Sequence, residues 1–118
     1  MTVNILGTEY TINKKKYDEE PAFERGSIDG YCDSYTHEIA YCDMDTYPGW
    51  ENEQPSSKRI CEQQTVRHEI VHAFLSESGL DSCTGRAEHG WAKNEEMVDW
   101  IAVQGPKIYA AWVAAGVA

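Results

Sequence analysis

No stretch of this sequence stays apolar for the ~20 residues that a membrane-spanning helix needs. The apolar tail from Ile108 to Ala118 is too short to cross a bilayer, so no membrane partner is expected. The opening residues, Met1 to Gly7, lack the charged segment and apolar core of a secretory leader, which makes the cytoplasm the expected location. Basic residues are scarce. Ten Lys and Arg stand against 20 Asp and Glu, a formal charge of −10, and that balance repels phosphate backbones. Nucleic acid is therefore not an expected partner. The only strong basic run, Lys14 to Lys16, reads as a solvated turn after a strand. Close cysteine pairs are missing too. Cys32, Cys42, Cys61 and Cys83 include no Cys-x-x-Cys, which argues against a structural zinc knuckle. Free thiols are expected in a reducing compartment, with Cys32 and Cys42, on either side of a probable hairpin, as the one candidate disulfide. There is no internal repeat and no low-complexity segment.

What is present suits a single globular domain over residues 1–118, with 42% apolar residues. Val3 to Ile12 is rich in β-formers and broken near Gly7, giving one bent strand or two short ones. Residues 14 to 27 read as an irregular connection. Ile28 to Cys42 reads as a hairpin turning at Asp33 to Thr36. An acidic loop with an exposed Trp50 follows, over residues 43 to 57. From about Ser57, Val66, Ile70, Ala73 and Phe74 recur at helical spacing, and that helix should stop near Gly79. After a loop over 79 to 93, Asn94 is a good N-cap for a second helix with a stripe of Met97, Trp100, Ile101 and Gln104. Gly105-Pro106 should break or kink it, leaving a last helical piece that packs through Tyr109, Trp112 and Val113. Strands first and helices after predict an α+β fold, a small antiparallel sheet packed on helices.

The informative residues are His68-Glu69-Ile70-Val71-His72. Positions four apart on a helix share a face, so both imidazoles can reach one tetrahedral metal. Glu69 projects beside that point, where a carboxylate can take a proton from water. An open zinc site needs a third protein ligand. Glu95 and Asp99 are four apart on the next helix. Glu95 can ligate while Asp99 accepts a hydrogen bond from the far nitrogen of a ligand histidine. Glu96, turned about 100° around that helix, is the competing ligand. The expected cofactor is one Zn²⁺ on His68, His72 and Glu95.

These motifs resemble the gluzincin metallopeptidases, in which His-Glu-x-x-His is followed by a glutamate ligand on a later helix. Asn94-Glu95 with Asp99 is similar to the glutamate helix of the thermolysin type. Glu95, Val98, Asp99, Ile101 and Ala102 are similar to the matching helix of the ImmA/IrrE type, with Val98, Asp99 and Ile101 where that pattern usually has Ala, Asn and Phe. The chain also resembles short metallopeptidase-like proteins of phages and prophages. It shares with them the runs Arg67 to Leu75 and Trp91 to Trp100 and the opening Val3 to Tyr10. The resemblance implies a minimal zincin-like fold, a bacterial host cell, and zinc-dependent hydrolysis of a peptide bond in a specific protein substrate, with Glu69 as general base. His89, Tyr109, Tyr31, Tyr35 and Tyr41 are candidates for stabilising the oxyanion. His37 and His89 read as surface histidines. One alternative is a catalytically silent zinc module that engages a host protein. Another is a closed structural site with Cys83 or His89 as fourth ligand. A monomer is the default expectation.

Overall fold

A computed structural model describes residues 1–83, 90–116 and 118, with Cys83 described through its backbone only. The first β-rich stretch forms two strands, β1 (Thr2–Ile5) and β2 (Thr8–Lys15), paired antiparallel with Ile5 opposite Thr8. The two-residue turn between them places Leu6 at φ 49° and Gly7 at φ 94°. Positive φ at both central residues matches the right-handed twist of the strands it joins. The predicted irregular connection contains a 3₁₀ turn (Tyr17–Glu19) and a short helix α1 (Pro21–Gly26). Next come β3 (Gly30–Asp33) and β4 (Glu38–Cys42), the predicted hairpin. Helix α2 (Pro55–Glu77) starts two residues before Ser57, on a proline at its first position, and is closed off by Ser78 and then Gly79 at φ 82°. A short α3 (Leu80–Cys83), a 3₁₀ turn (Trp91–Lys93) and α4 (Glu95–Ala115) complete the described chain.

The α+β class stands, but the sheet is mixed rather than antiparallel. Its order is β1-β2-β4-β3, and β2 pairs with β4 in parallel, Thr11 opposite Glu38. The reason lies in β4. Ile39, Ala40 and Cys42 are all buried, so this strand belongs in the centre of the sheet. The chain therefore carries β3 to the outer edge before β4 returns beside β2. In this register Cys32 faces Ile39, and Cys42 pairs with Asp29, so the two cysteines are not opposed; both are free thiols.

Other sequence expectations are corrected in the same way. Lys14 and Lys15 end β2 instead of forming a solvated turn. Lys15 Nζ lies 3.2 Å from Glu20 and 2.9 Å from Glu38, and Lys14 Nζ lies 3.1 Å from Glu62. Trp50 is half-buried against Phe23, Cys42 and Met44. Gly105-Pro106 does not end α4, which runs through it to Ala115. Proline has no N–H to give the carbonyl of Ala102. That carbonyl instead accepts from Arg67 Nε at 2.6 Å. Beyond this point α4 stands away from the body, and Tyr109, Trp112 and Val113 are more than half exposed. No described helix is long and apolar enough to cross a membrane.

Helix α2 is the hub of the fold. Ala73 and Ile70 pack on the sheet residues Ile5, Tyr10 and Ile39. Leu75 and Val71 pack on Ala92, Met97 and Val98. At its end, Glu77 accepts hydrogen bonds from the buried Tyr10 hydroxyl (2.7 Å) and from Thr8 (2.9 Å), which fastens the β1–β2 hairpin to the helix. Those two donors hold the Glu77 carboxyl below its usual pKa. A carboxyl lowered in the folded state stabilises above its unfolded pKa and loses that contribution as pH falls through the folded value. Thermal melts should therefore weaken below about pH 4.5, and Glu77→Gln should flatten that acid limb. Tyr10→Phe should lower stability by about 0.5–1.5 kcal/mol at neutral pH, read by urea unfolding.

Candidate metal centre

The two long helices meet along a seam whose contacts descend on one helix as they ascend on the other: His72 with Glu95, His68 with Asp99, Arg67 with Ala102. Each side is an i, i+3, i+4, i+7 stripe. On α2 it is His68, Val71, His72 and Leu75; on α4 it is Glu95, Val98, Asp99 and Ala102. Of the expected stripe through Met97, Trp100, Ile101 and Gln104, Met97 packs beside Val98 but Trp100 is more than half exposed, and the buried positions are Val98 and Ala102. Asn94 caps α4, its side chain accepting from Met97 N at 2.8 Å, and so fixes the turn that carries Glu95.

Three ligand-type groups converge at this seam. His68 Nε2 lies 3.0 Å from His72 Nε2 and 3.0 Å from Glu95 Oε2. His72 Nε2 lies 3.3 Å from both oxygens of Glu95. Donors on a tetrahedral ion at ~2.0–2.1 Å stand about 3.3–3.4 Å apart, so this triangle has nearly the required edges. Asp99 Oδ1 sits 2.7 Å from His68 Nδ1. A carboxylate there places the proton on Nδ1 and leaves the Nε2 lone pair facing the cluster. An imidazole lone pair and a carboxylate oxygen at 3.0 Å then repel unless a proton or a metal cation lies between them. His68, His72 and Glu95 are placed so that they could hold a metal ion, with Asp99 against the far nitrogen of His68. Glu96 is turned to an outer groove lined by Trp91, Asn94, Met97 and Trp100.

Glu69 sits on a different face of α2 from the histidines, turned toward the sheet. It is 6% exposed, and its Oε1 is 4.0 Å from His68 Nε2, too far to complete the triangle. His68, Glu69 and His72 nevertheless offer ligand-type atoms within 4.8 Å of one another, so Glu69 borders the cluster closely. Burial, reinforced by the charges of Glu95, Asp29 and Asp99 and opposed by His68, pushes its carboxyl up to about 7. Such a group can exchange protons near neutrality.

Gly30, which the sequence alone does not single out, leaves the room that Glu69 occupies. A Cβ on Gly30 would meet Thr65 Cγ2 at 2.4 Å, the Ala40 carbonyl at 3.1 Å and Glu69 Oε1 at 3.3 Å. Only glycine lets β3 approach α2 so closely. Thr65 is itself pinned, its hydroxyl donating to Asp29 (2.9 Å). The one available sequence signal is a glycine opening a β-rich run.

Two cavities of about 380 and 360 Å³ flank the cluster and share Ile28, Gly30, His68, Glu69 and Glu95. Together they form a trough between the histidine helix and β3, whose outer edge has no described strand beside it. Cys61 lines one end and Cys32 the other. Burial pushes their thiols up to about 11 and about 12, so neither is poised as a thiolate nucleophile.

The remaining sequence candidates fall away from the trough or are engaged. His37 is exposed at the hairpin turn, its ring tilted 49° to that of Tyr10 at 5.1 Å. Tyr35 is almost fully exposed and Tyr109 lies on the outlying part of α4. Tyr41 lines a separate cavity with Arg59 and Val66. Tyr31 borders the trough, but its hydroxyl is 2.9 Å from Lys15 Nζ. His89 and the Cys83 side chain, the candidate fourth ligands, lie outside the described residues.

Comparison with protein-family models, with curated proteins and with solved structures finds no match.

Proposed function

We propose that this chain is a minimal zincin-like, zinc-dependent metallopeptidase acting on a flexible segment of a protein partner in the cytoplasm of a bacterial host. The observation that carries this reading is the triangle of His68 Nε2, His72 Nε2 and Glu95, with edges of 3.0–3.3 Å, beside the buried carboxyl of Glu69. A structural site has no use for Glu69. A hydrolytic one needs a base in that place.

Bound to the triangle, zinc would supply Lewis acidity toward a peptide carbonyl and acidify a water molecule. The chain's own residues do the rest. Asp99 fixes the ring of His68 and its tautomer. Glu69 takes the proton of the attacking water on a carboxylate oxygen and passes it to the departing amine nitrogen as the C–N bond breaks. Its position between α2 and β3 shields it from bulk water. The unpaired edge of β3 offers backbone N–H and C=O groups along one wall of the trough, which suits an extended peptide added as a further strand.

Elemental analysis tests the metal. One zinc per chain is expected. Glu95→Ala should weaken zinc affinity by at least tenfold, as loss of a direct ligand must exceed the ~10–100-fold cost of losing an outer-shell partner. Glu96→Ala should leave it unchanged. Failure of the protein to take up zinc after reconstitution at neutral pH would overturn the reading.

A further inference from the structure

Arg67 lies immediately before the first histidine and contributes nothing to the ligand triangle. Its side chain crosses the seam and donates from Nε to the carbonyl of Ala102 at 2.6 Å. In an unbroken helix that carbonyl would accept from the N–H of residue 106. Here residue 106 is proline, inside α4, and has no N–H to give. Ala102 is 3% exposed, so solvent cannot readily serve its carbonyl. Proline also crowds the carbonyl four residues back and turns it away from the helix axis. The face of α4 turned to α2 gains an acceptor, and Arg67 is the cation that meets it.

We infer that Arg67 is a positioning residue: it replaces the backbone hydrogen bond that Pro106 cannot make and so locks the glutamate helix in register with the histidine helix. This rests on the zinc reading for its functional consequence, though not for the lock itself. Ala102 lies one turn beyond Asp99 and two beyond Glu95 on the same stripe. Arg67 lies one residue from His68. The rung Arg67–Ala102 therefore adjoins the rung His68–Asp99 (2.7 Å), and a slip of α4 would carry Asp99 and Glu95 away from both imidazoles together. The guanidinium suits the task because it is always charged and its N–H vectors are fixed in a plane, whereas a lysine ammonium is a mobile point charge. Proline in a helix with no such partner would leave a buried carbonyl unsatisfied.

The test is a double-mutant cycle on the full chain with two readouts, melting of the metal-free protein and zinc affinity by chelator competition. Arg67→Ala should lower the melting temperature and weaken zinc binding by about tenfold, the low end for an outer-shell partner. Arg67→Lys should recover only part of either. Pro106→Ala restores an N–H opposite the Ala102 carbonyl. In the Arg67→Ala background it should therefore return both melting and zinc affinity most of the way to the parent values. An Arg67→Ala protein too unstable to study alone leaves the rescue measurable in the double variant. If Pro106→Ala gives the same increment with or without Arg67, the two residues are uncoupled and the inference fails. If no variant binds zinc but the melting rescue holds, the lock stands and the zinc reading falls.

Discussion

Glu69→Gln should abolish peptide hydrolysis, by about 10²–10⁴-fold or more, while the protein keeps its zinc and its fold. The side chains are nearly equal in volume, so the fit between α2 and β3 survives. Glutamine cannot take a proton from water. Glu69 is 6% exposed and its nearest ionic partner, His68, is 4.0 Å away, so the carboxylate sits in an unfavourable environment when charged. Removing that charge should leave the melting temperature unchanged or raise it. This pairing of lost turnover with retained or increased stability is what separates a functional group from a structural one. The measurement is cleavage of unstructured peptides followed by mass spectrometry, beside elemental analysis and a thermal melt. Hydrolysis at the parent rate by Glu69→Gln would remove Glu69 as base. Zinc without hydrolysis in parent and variant alike would favour a zinc-containing module that binds a host protein.

Gly30→Ala should be the most disruptive single-methyl change near the trough. The added carbon would stand 2.4 Å from Thr65 Cγ2 and 3.1 Å from a backbone oxygen. Thr65 cannot turn aside cheaply. It is β-branched, and its hydroxyl is engaged by Asp29 at 2.9 Å and by the Cys61 carbonyl at 3.1 Å. Overpacking of this kind costs about 1–3 kcal/mol, and relief requires α2 to move off β3 at Glu69. Urea unfolding should show the loss, and hydrolysis should fall with it. Thr65→Ser deletes the clashing methyl and keeps the hydroxyl, so it should restore much of the stability in the double variant. Gly30→Ala with parental stability would mean that β3 yields easily at this point.

The candidate site was readable in the sequence because helical spacing is a local property. His68 and His72 share a face by their separation alone, as do Glu95 and Asp99, and Asn94 marks where the second helix begins. The structure brings these four together where their spacing placed them. What was not legible depends on elements far apart in the chain. Gly30 matters only once β3 lies against a helix that begins 25 residues later. Parallel pairing of β2 with β4 runs against the tendency of consecutive strands to be neighbours, and only the burial of β4 on both faces explains it. Local rules make Pro106 a break or a kink; the helix runs through it, and the carbonyl it leaves without an N–H is met by Arg67, 39 residues earlier. The sheet-facing stripe of α2 misled in another way. It buries Lys58, Glu62, Thr65 and Glu69, which an apolar-periodicity reading assigns to solvent.

The seam between α2 and α4 has one more consequence. Its candidate ligands lie at both ends of the segment from His72 to Glu95, so a metal gripped by both helices would be a removable cross-link. The segment between them would become a closed ring. By the chain-entropy model, tying off a ring of this size removes about 3–4 kcal/mol of freedom from the unfolded chain, as a disulfide would. Unlike a disulfide, the tie would answer to metal supply rather than to redox state. The lifetime of the folded chain in a cell would then rise and fall with available zinc.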